Sequence, residues 1–315
     1  MLNRPFVMVR DLFNELRAAR SERESLLAEL QYLRSMRSQF KEFVPPGHFY
    51  SPFPFLPEIR AREEQIFGAG PPSLPGIDLS ERKQLDLLRN LIPYYRDLPF
   101  GEQKSSGLRY YFENPFYSYS DAIFLYSMIR HIAPTRIVEI GSGYSSCVML
   151  DTNDLFFDST IDCTFIDPNP EVLVPLLDSR EASSIKFITE PVQQLDLALF
   201  GQLESGDILF VDSTHVAKIE SDVNRIIFDI LPLLRSGVYI HFHDIFYPFT
   251  YPKEWIYEGR GWNETYILRA FLQFNRAFQI VLFTTYLHEH HGAVLRDNMP
   301  LTLRNPGASL WLQRR

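Results

Sequence analysis

The chain from about residue 117 onward alternates strand patterns with helical ones, and this alternation limits the folds that it can adopt. Five short apolar runs have the pattern of buried strands, in chain order "RIVEIGSG", "CTFIDPNP", "IKFITEP", "DILFVDSTH" and "GVYIHFHD". Helical patterns separate most of them, which predicts an α/β fold: a doubly wound, parallel sheet covered by helices on both faces. Two later runs, "FQIVLFTTYL" and "ASLWLQR", predict two further strands joined by a long loop.

Composition and charge narrow the classes of function. Of the 315 residues, 45% are hydrophobic, which supplies a large core without disulfide bonds. The formal net charge is −8 and no Lys/Arg-rich run occurs, so we expect no nucleic-acid partner. Cys147 and Cys163 lie far apart in hydrophobic segments, which favours free thiols in a reducing, cytoplasmic compartment. We expect neither secretion nor membrane insertion, because no stretch reaches the roughly 20 apolar residues that a span needs.

The N-terminal region has the pattern of one long helix from Val9 to Phe40. A heptad frame that starts at Val9 gives one seam made of Leu12, Ala19, Leu26, Leu33 and Phe40. The companion seam holds Val9, Leu16 and Leu30 but is interrupted by Arg23 and Arg37. A short coiled coil and a helix packed on the main domain both fit this pattern. We expect the helix to make the protein a homo-oligomer.

Changes in pattern along the chain predict three regions. Residues 1–42 form the long helix, and residues 43–109 hold a segment rich in proline and aromatic residues, "EFVPPGHFYSPFPFLPEI", followed by a helical cap. Residues 110–315 form the main domain, with an aromatic insertion at 246–276. Trp255, Tyr257, Trp262 and Tyr266 of this insertion could stack on an acceptor or simply pack the cap.

A glycine turn follows the first of the buried strands. In "VEIGSGYSS", Gly141 and Gly143 allow a sharp turn and a close approach of a ligand to the main chain. Asp167 follows the next strand, where a carboxylate can bind both ribose hydroxyls, although a tight turn and an Asp-Pro turn explain the same residues without a ligand. The third glycine of the dinucleotide fingerprint is missing, and Glu139 disfavours a pyrophosphate. These features favour S-adenosylmethionine, whose ammonium and sulfonium groups are positively charged.

The segment from "NPFYSYSDAIFLYSMIRHIAPTRIVEIGSGYSS" to "VDSTHVAKIESDVNRIIFDILPLLRSGVYIHFHDIFYPF" resembles class I S-adenosylmethionine-dependent methyltransferases, specifically the bacterial branch that contains small-molecule and sugar O-methyltransferases. The resemblance covers roughly 110–315 and implies a Rossmann-like, seven-stranded, mostly parallel sheet with an antiparallel last strand. It also implies a set of cofactor-binding residues: Glu139, Gly141 and Gly143 at the methionine end, Asp167 at the ribose, Val192 and Gln193 near adenine, and Asp212.

Histidines and aspartates follow two of the strands. Asp212 and His215 end "ILFVDSTH", and His243 and Asp244 end "VYIHFHD". Ligands bind beyond the carboxyl ends of strands in doubly wound sheets, so we expect all four side chains to face one crevice. Along the second strand, alternation places Tyr239, His241 and His243 on one face and Asp244 on the other. His215 or His243 could remove the proton of an acceptor hydroxyl, with Asp244 orienting the imidazole.

Alternatively, the same cluster could bind a metal ion. In metal-dependent catechol-type O-methyltransferases, an aspartate after the fourth strand and an Asp-Asn pair after the fifth bind magnesium. By this resemblance Asp212 and Asp244 match the aspartates, but Ile245 stands in the Asn position. Imidazole ligands favour Fe, Mn or Zn over Mg. The candidate ligands are Asp212, His215, His243, Asp244 and His48, each histidine being alternatively a hydrogen-bonded core or substrate-binding residue.

Three functions fit these observations. The first is a cytoplasmic S-adenosylmethionine-dependent methyltransferase that acts on oxygen of a small molecule or saccharide. The second is a methyltransferase-fold metalloenzyme with a His/carboxylate iron site and a different reaction, and the third is a non-catalytic assembly subunit. The tripeptide "EHH", Glu289 to His291, has ligand-type side chains, but we expect it to lie in a solvated loop.

Overall fold

The structure is a computed structural model that describes residues 4–39, 43–68, 70–71, 73–178 and 185–315. Within the first helix, side chains are described for residues 16–35. The chain forms two compact units, Met1–Ala61 and Arg62–Arg315. The region boundaries that we predicted at residues 42 and 109 remain predictions.

The first unit contains the long N-terminal helix that the sequence predicts. It spans Arg4–Gln39, and a short helix follows at Leu56–Ala61. The side chains of residues 16–35 are all exposed. Of the predicted seam, Phe40 and the side chains of Val9, Leu12 and Arg37 lie outside the described residues.

The second unit is built on a seven-stranded sheet. Its strands are β1 Arg136–Ile140, β2 Asp162–Ile166, β3 Lys186–Ile188, β4 Ile208–Val211, β5 Tyr239–Phe242, β6 Phe278–Phe283 and β7 Leu310–Arg314. They lie in the order β3-β2-β1-β4-β5-β7-β6. The five strands β1 to β5 pair in parallel, and β7 inserts antiparallel between β5 and β6. The predicted doubly wound fold with an antiparallel last strand is confirmed.

Helices cover this sheet, and two of them are buried almost throughout. Within its described residues, the α-helices of this unit are Glu63–Phe67, Glu81–Arg96, Ser120–Ile132, Tyr144–Phe156, Ala198–Gly201, Asp222–Arg225, Lys253–Tyr257, Glu264–Leu272 and Thr284–Asn298. A π-helical segment occupies Ile226–Ile230, and 3₁₀ turns lie at Val174–Leu176, Val192–Gln194, Leu231–Leu233 and Pro300–Leu303. All residues from 120 to 129 and from 144 to 153 are buried, including polar ones such as Asp121 and Asp151.

The chain between β6 and β7 differs from our prediction of a long loop. The helix Thr284–Asn298 lies there, because Tyr286, Leu287 and Leu295 pack into the core. Glu289 and His290 of the "EHH" tripeptide are therefore helical, whereas His291 lies at a kink with non-helical torsion angles (φ −132°, ψ 24°). The predicted place of the tripeptide in a loop was wrong. Glu289 accepts a hydrogen bond from the backbone N–H of residue 70 at 2.7 Å, and His291 Nε2 lies 2.8 Å from Glu81 Oε1.

The sheet order reverses between β1 and β4, which marks the point where doubly wound sheets bind ligands. Hydrogen bonding continues one residue beyond the strands: Gly141 N donates to Ile166 O, and Asp212 N donates to Ile140 O. His243 N likewise donates to Val211 O. The residues that follow β1, β4 and β5 are therefore fixed side by side at one edge of the sheet.

Two predictions from composition can be compared with the structure. Cys147 is buried and Cys163 is half-buried, and both are free thiols. Among the helices of the described residues, none combines the length and apolarity that crossing a bilayer requires.

Candidate active site

The glycine turn after β1 closes tightly against the end of β4. Gly141 has φ +87°, in the left-handed region that favours glycine, and a Cβ at this position would lie 1.8 Å from Asp212 O. Asp167, after β2, holds the next residue of the turn: both the backbone N–H and the hydroxyl of Ser142 donate to its Oδ2, at 3.0 and 2.7 Å. The turn is thus fixed between the residues that follow β2 and β4.

A cavity of about 480 Å³ lies above this turn. Its walls include five of the predicted cofactor-binding residues, Gly141, Asp167, Val192, Gln193 and Asp212. Segments that follow four different strands thus come together as the sequence predicts. Their roles toward the cofactor remain predictions.

Glu139 lies in β1, two residues before Gly141, and its role at the methionine end remains a prediction. Its side chain is fully buried in β1, where its carboxyl oxygens accept hydrogen bonds from the hydroxyls of Ser145 and Ser146. It lies on the wall of neither cavity described here. Burial raises the pKa of Glu139 to about 8, although the two serine hydrogen bonds oppose this change. Glu139 therefore fixes the first turn of the helix Tyr144–Phe156 from within the core.

A second cavity, of about 330 Å³, adjoins the first. Both cavities are lined by Ser142, Asp212, Ser213 and Thr214. The second is also lined by Gly143, by the aromatic residues Phe116, Tyr117, Tyr144 and Trp262, and by His215, His243 and Asp244. The glycine turn and the imidazole–carboxylate cluster therefore face one continuous crevice, as predicted.

The cluster itself consists of Asp212, His215, His243 and Asp244. His215 Nε2 lies 3.4 Å from Asp212 Oδ1 and 3.5 Å from Asp244 Oδ2. His243 Nδ1 lies 3.4 Å from Asp212 Oδ1 and 3.6 Å from Asp244 Oδ1. Two carboxylates thus lie between two imidazoles.

Backbone conformation brings Asp244 into the cluster, against the strand alternation that we expected. Alternation requires an extended chain, but β5 ends at Phe242 and Asp244 has φ +58°. This left-handed residue turns its carboxylate toward His243 instead of the opposite face. His215 has φ +60° and is bent in the same way. His241 remains in the core, stacked on Phe210 with ring centroids 3.9 Å apart.

The four groups shift one another's pKa. Burial opposes protonation of His215, but hydrogen bonds to Asp212 and Glu264 outweigh it and raise its pKa to about 10. Burial likewise opposes protonation of His243, while Asp244, Asp212 and Asp121 raise its pKa well above the usual range. Burial also disfavours ionised Asp212, yet His243 and His215 hold the pKa of this carboxyl far below its usual range. The site therefore favours positive charge between its carboxylates.

Three of the predicted metal ligands have suitable geometry. One ligand atom from each of Asp212, His215 and Asp244 lies within 4.8 Å of the other two, and among the described residues no other such group of His, Cys, Asp and Glu occurs. Ile245, at the position of the expected Asn, is fully buried. His48 belongs to the first unit, where its Nδ1 accepts a hydrogen bond from Tyr50 N at 3.2 Å, and its assignment remains a prediction.

Two acidic residues contact the histidines on the side away from Asp212 and Asp244. We did not predict either of them from the sequence. Glu264 Oε2 lies 2.8 Å from His215 Nδ1, and Asp121 Oδ2 lies 3.4 Å from His243 Nε2. Both side chains are buried. An acidic residue in the apolar run "SDAIFLYSMI" was a usable signal for Asp121, whereas nothing local distinguished Glu264.

The aromatic insertion contributes one ring to the site. Trp262 lies 4.4 Å from His215 between ring centroids and lines the second cavity. Trp255 and Tyr266 pack within the insertion, and the Tyr257 hydroxyl donates to Glu63. From the other side, Tyr117 lies 5.0 Å from the ring of His243, and its buried hydroxyl has no hydrogen-bond partner among the described residues.

We compared the chain with known protein families, sequences and structures. A family model described as a methyltransferase domain matches residues 138–245. An uncharacterized protein of Archaeoglobus fulgidus is 36% identical over 179 residues, which cover 55% of this chain and 80% of that protein. The SAH-bound methyltransferase PaMTH1 of Podospora anserina is 15% identical, with 88% of this chain and 100% of that chain covered and a TM-score of 0.40. A duf574 family protein of Streptomyces avermitilis is 16% identical, with 62% and 80% covered and a TM-score of 0.37.

The matched segment runs from β1 to the residue after Asp244 and so contains the glycine turn and both polar strand ends. The seven strands and the antiparallel β7 are those that the resemblance implied. The match favours a methyltransferase over the other two functions that the sequence left open, and it does not specify the acceptor. The chain belongs to the class I S-adenosylmethionine-dependent methyltransferases.

Proposed function

We propose that the protein methylates a hydroxyl oxygen of a small molecule or saccharide, assisted by a divalent metal bound by Asp212, His215 and Asp244. One observation carries this proposal: the ligand-type group and the glycine-turn cavity share a wall. A methyl donor in the first cavity and an acceptor in the second would therefore meet beside the cluster.

The first cavity fits S-adenosylmethionine. Asp167 lines it at the end of β2, where a carboxylate can bind the ribose hydroxyls, and Val192 and Gln193 line the side proposed for adenine. Gly141 leaves no side chain between the turn and Asp212. The buried hydroxyl of Ser213, in the shared wall, has no hydrogen-bond partner among the described residues. When bound, S-adenosylmethionine supplies a methyl group activated by its sulfonium charge.

The second cavity fits an acceptor with a hydroxyl group and an apolar ring face. Trp262 and Tyr117 provide the aromatic walls. We propose His243 Nδ1 as the atom that takes the hydroxyl proton, because it faces Asp212 and Asp244, which stabilise the resulting imidazolium. The oxygen–carbon bond forms as the sulfur–carbon bond breaks, so the products are a methyl ether, S-adenosylhomocysteine and one proton.

The donor set fits a borderline divalent cation. One imidazole and two carboxylates suit Mn, Fe or Zn, and the loss of the Asn oxygen at Ile245 makes Mg a poorer fit. Such an ion would supply Lewis-acid polarisation of the acceptor oxygen. Neutral imidazole at His243 is favoured when a cation balances Asp212 and Asp244. His48 is retained as a proposed additional ligand. His243 is retained as an alternative ligand, in which case its Nδ1 would not take the hydroxyl proton.

Calorimetry and metal analysis test this proposal. We expect S-adenosylmethionine to bind, Mn²⁺ to bind at about one per chain, and Asp244→Asn to lose Mn²⁺ binding while it keeps S-adenosylmethionine. Asp229→Asn, a substitution of an exposed aspartate, is the matched control and should change neither. Mn²⁺ affinity that is equal in Asp244→Asn and in the unchanged protein would refute the metal site. Turnover of hydroxylated sugars and phenols, measured as S-adenosylhomocysteine, would then identify the acceptor class.

The remaining proposals concern the setting of the enzyme. The free thiols Cys147 and Cys163 support a cytoplasmic location. We retain the three regions 1–42, 43–109 and 110–315 as the proposed organisation, with homo-oligomerisation through the first of them.

A further inference from the structure

The N-terminal helix presents a regular apolar seam. In the part with described side chains, residues at alternating spacings of three and four follow one line along the helix, namely Leu16, Ala19, Arg23, Leu26, Leu30 and Leu33. These are the a and d positions of a heptad repeat, the spacing that brings side chains to one face of a coiled coil. Only Arg23 interrupts the apolar character of the line.

The seam is exposed. Its leucines expose between 44% and 59% of their surface, in a helix of 36 residues. An apolar stripe of this kind is stabilised when it is buried against another surface, since helix propensity alone contributes little. The occupant must offer a matching stripe, and a second copy of the helix does so at every heptad.

Charges beside the seam select the orientation of that second copy. Glu22 and Glu29 occupy g positions, and Arg20 and Arg34 occupy e positions, where Arg20 also lies 3.7 Å from Glu24 of its own helix. In a parallel pair each g position faces the e position of the next heptad on the partner, so Glu29 would face Arg34. In an antiparallel pair g faces g and e faces e, which would bring like charges together. Charge complementarity therefore favours the parallel arrangement.

The one polar residue of the seam, Arg23, is compatible with a two-stranded coiled coil. Arg23 occupies an a position, and a charged residue there specifies register and oligomer state at some cost in stability. In a two-stranded coil the long side chain can keep its stem on the seam and extend its guanidinium to water. We propose that residues 16–33 of two copies form a parallel, two-stranded coiled coil. This proposal does not depend on the proposed reaction.

The first experiment compares two neighbouring residues in the full-length chain. Leu33 and Tyr32 are 57% and 62% exposed, but only Leu33 lies on the seam. By light scattering and sedimentation we expect a dimer whose dissociation constant rises at least about tenfold in Leu33→Asp and stays unchanged in Tyr32→Asp. A monomeric full-length protein, or equal dissociation in the two variants, would overturn the proposal. Unchanged S-adenosylmethionine binding in both variants would show that the rest of the chain is folded.

The second experiment tests the orientation. Under mild oxidation, Leu33→Cys should form a disulfide-linked dimer, because d positions of parallel strands face each other. Ser21→Cys, at an f position on the outer face, should remain uncrosslinked and also reports any contribution of the native thiols. If the Leu33→Cys variant remained a dimer but formed no disulfide, the two helices would not be parallel.

Discussion

At the scale of single residues, the site depends on backbone conformations that few residue types adopt. Gly141, His215 and Asp244 all have φ between +58° and +87°. For the two non-glycine residues this conformation is uncommon, and it is held by the packing around them. At His215 and Asp244, this conformation points the side chain in a direction that the alternation of an extended strand does not predict.

Gly141 provides the clearest test at this scale. Gly141→Ala should abolish S-adenosylmethionine binding or folding, because its Cβ would lie 1.8 Å from Asp212 O. Gly206 is a matched control, since it also has positive φ, +92°, but a Cβ there would meet nothing within 4 Å. Thermal denaturation and calorimetry should show a modest loss of stability and unchanged binding for Gly206→Ala. If Gly141→Ala and Gly206→Ala had equal stability and equal S-adenosylmethionine binding, the space between Gly141 and Asp212 O would be large enough for a side chain.

Glu139 gives a prediction for pH dependence. Burial raises its pKa to about 8 from an ordinary value of 4.5, so between these values the folded state binds more protons than the unfolded state. The free energy of unfolding should therefore fall as pH rises from 5 to 8, by at most about 1.4 kcal/mol per pH unit from this group.

Urea denaturation at several pH values checks this sign. Glu139→Gln should remove that part of the pH dependence, whereas Glu171→Gln, at an exposed glutamate, should retain it. Parallel stability curves for the unchanged protein and Glu139→Gln would show that Glu139 is not protonated in the folded state.

At the scale of elements, strand ends supply the reactive groups and helices hold them in place. The helix Glu264–Leu272 begins with Glu264, which contacts His215 Nδ1 and leaves Nε2 directed at Asp212 and Asp244. The helix Ser120–Ile132 similarly brings Asp121 to His243. Each imidazole thus has one nitrogen toward a buried carboxylate and the other toward the cluster.

Mn²⁺ affinity tests the role of the helix Glu264–Leu272, which lies in the aromatic insertion. Because a carboxylate behind a ligating histidine fixes its orientation, we expect Glu264→Gln to weaken Mn²⁺ binding about ten- to hundredfold. Glu254→Gln, at an exposed glutamate of the same insertion, should have no effect, and both variants should bind S-adenosylmethionine normally. Undiminished Mn²⁺ affinity in Glu264→Gln would show that His215 does not need this partner.

At the scale of the whole molecule, the proposed functional residues divide between the two compact units. Every residue that lines the two adjoining cavities belongs to Arg62–Arg315. The proposed dimerisation seam belongs to Met1–Ala61. Units with their own cores usually retain ligand binding when separated.

Removal of the first unit tests this division. The chain that begins at Arg62 should bind S-adenosylmethionine within about twofold of the full-length affinity and should be monomeric in sedimentation. A large loss of affinity in a folded, truncated chain would assign the first unit a part in cofactor binding. A dimer that survives the truncation would place the interface in the second unit.

The sequence by itself determined the strands, the long N-terminal helix and the polar residues at the strand ends. These features depend on periodicity and turn chemistry within a few residues, so "VEIGSG" and "VYIHFHD" already predict a glycine turn and a polar strand end. The sheet then brings their ends together, because parallel strands place equivalent ends at one edge.

Only the tertiary structure decided which distant groups meet. Glu264 reaches His215 across 49 residues, β7 inserts between β5 and β6, and Glu139 is buried against Ser145 and Ser146. The helix at "EHH" likewise depends on packing of Tyr286 and Leu287, not on local pattern. Such contacts are set by burial and by hydrogen bonds between separate elements, and these energies are absent from any short stretch of sequence.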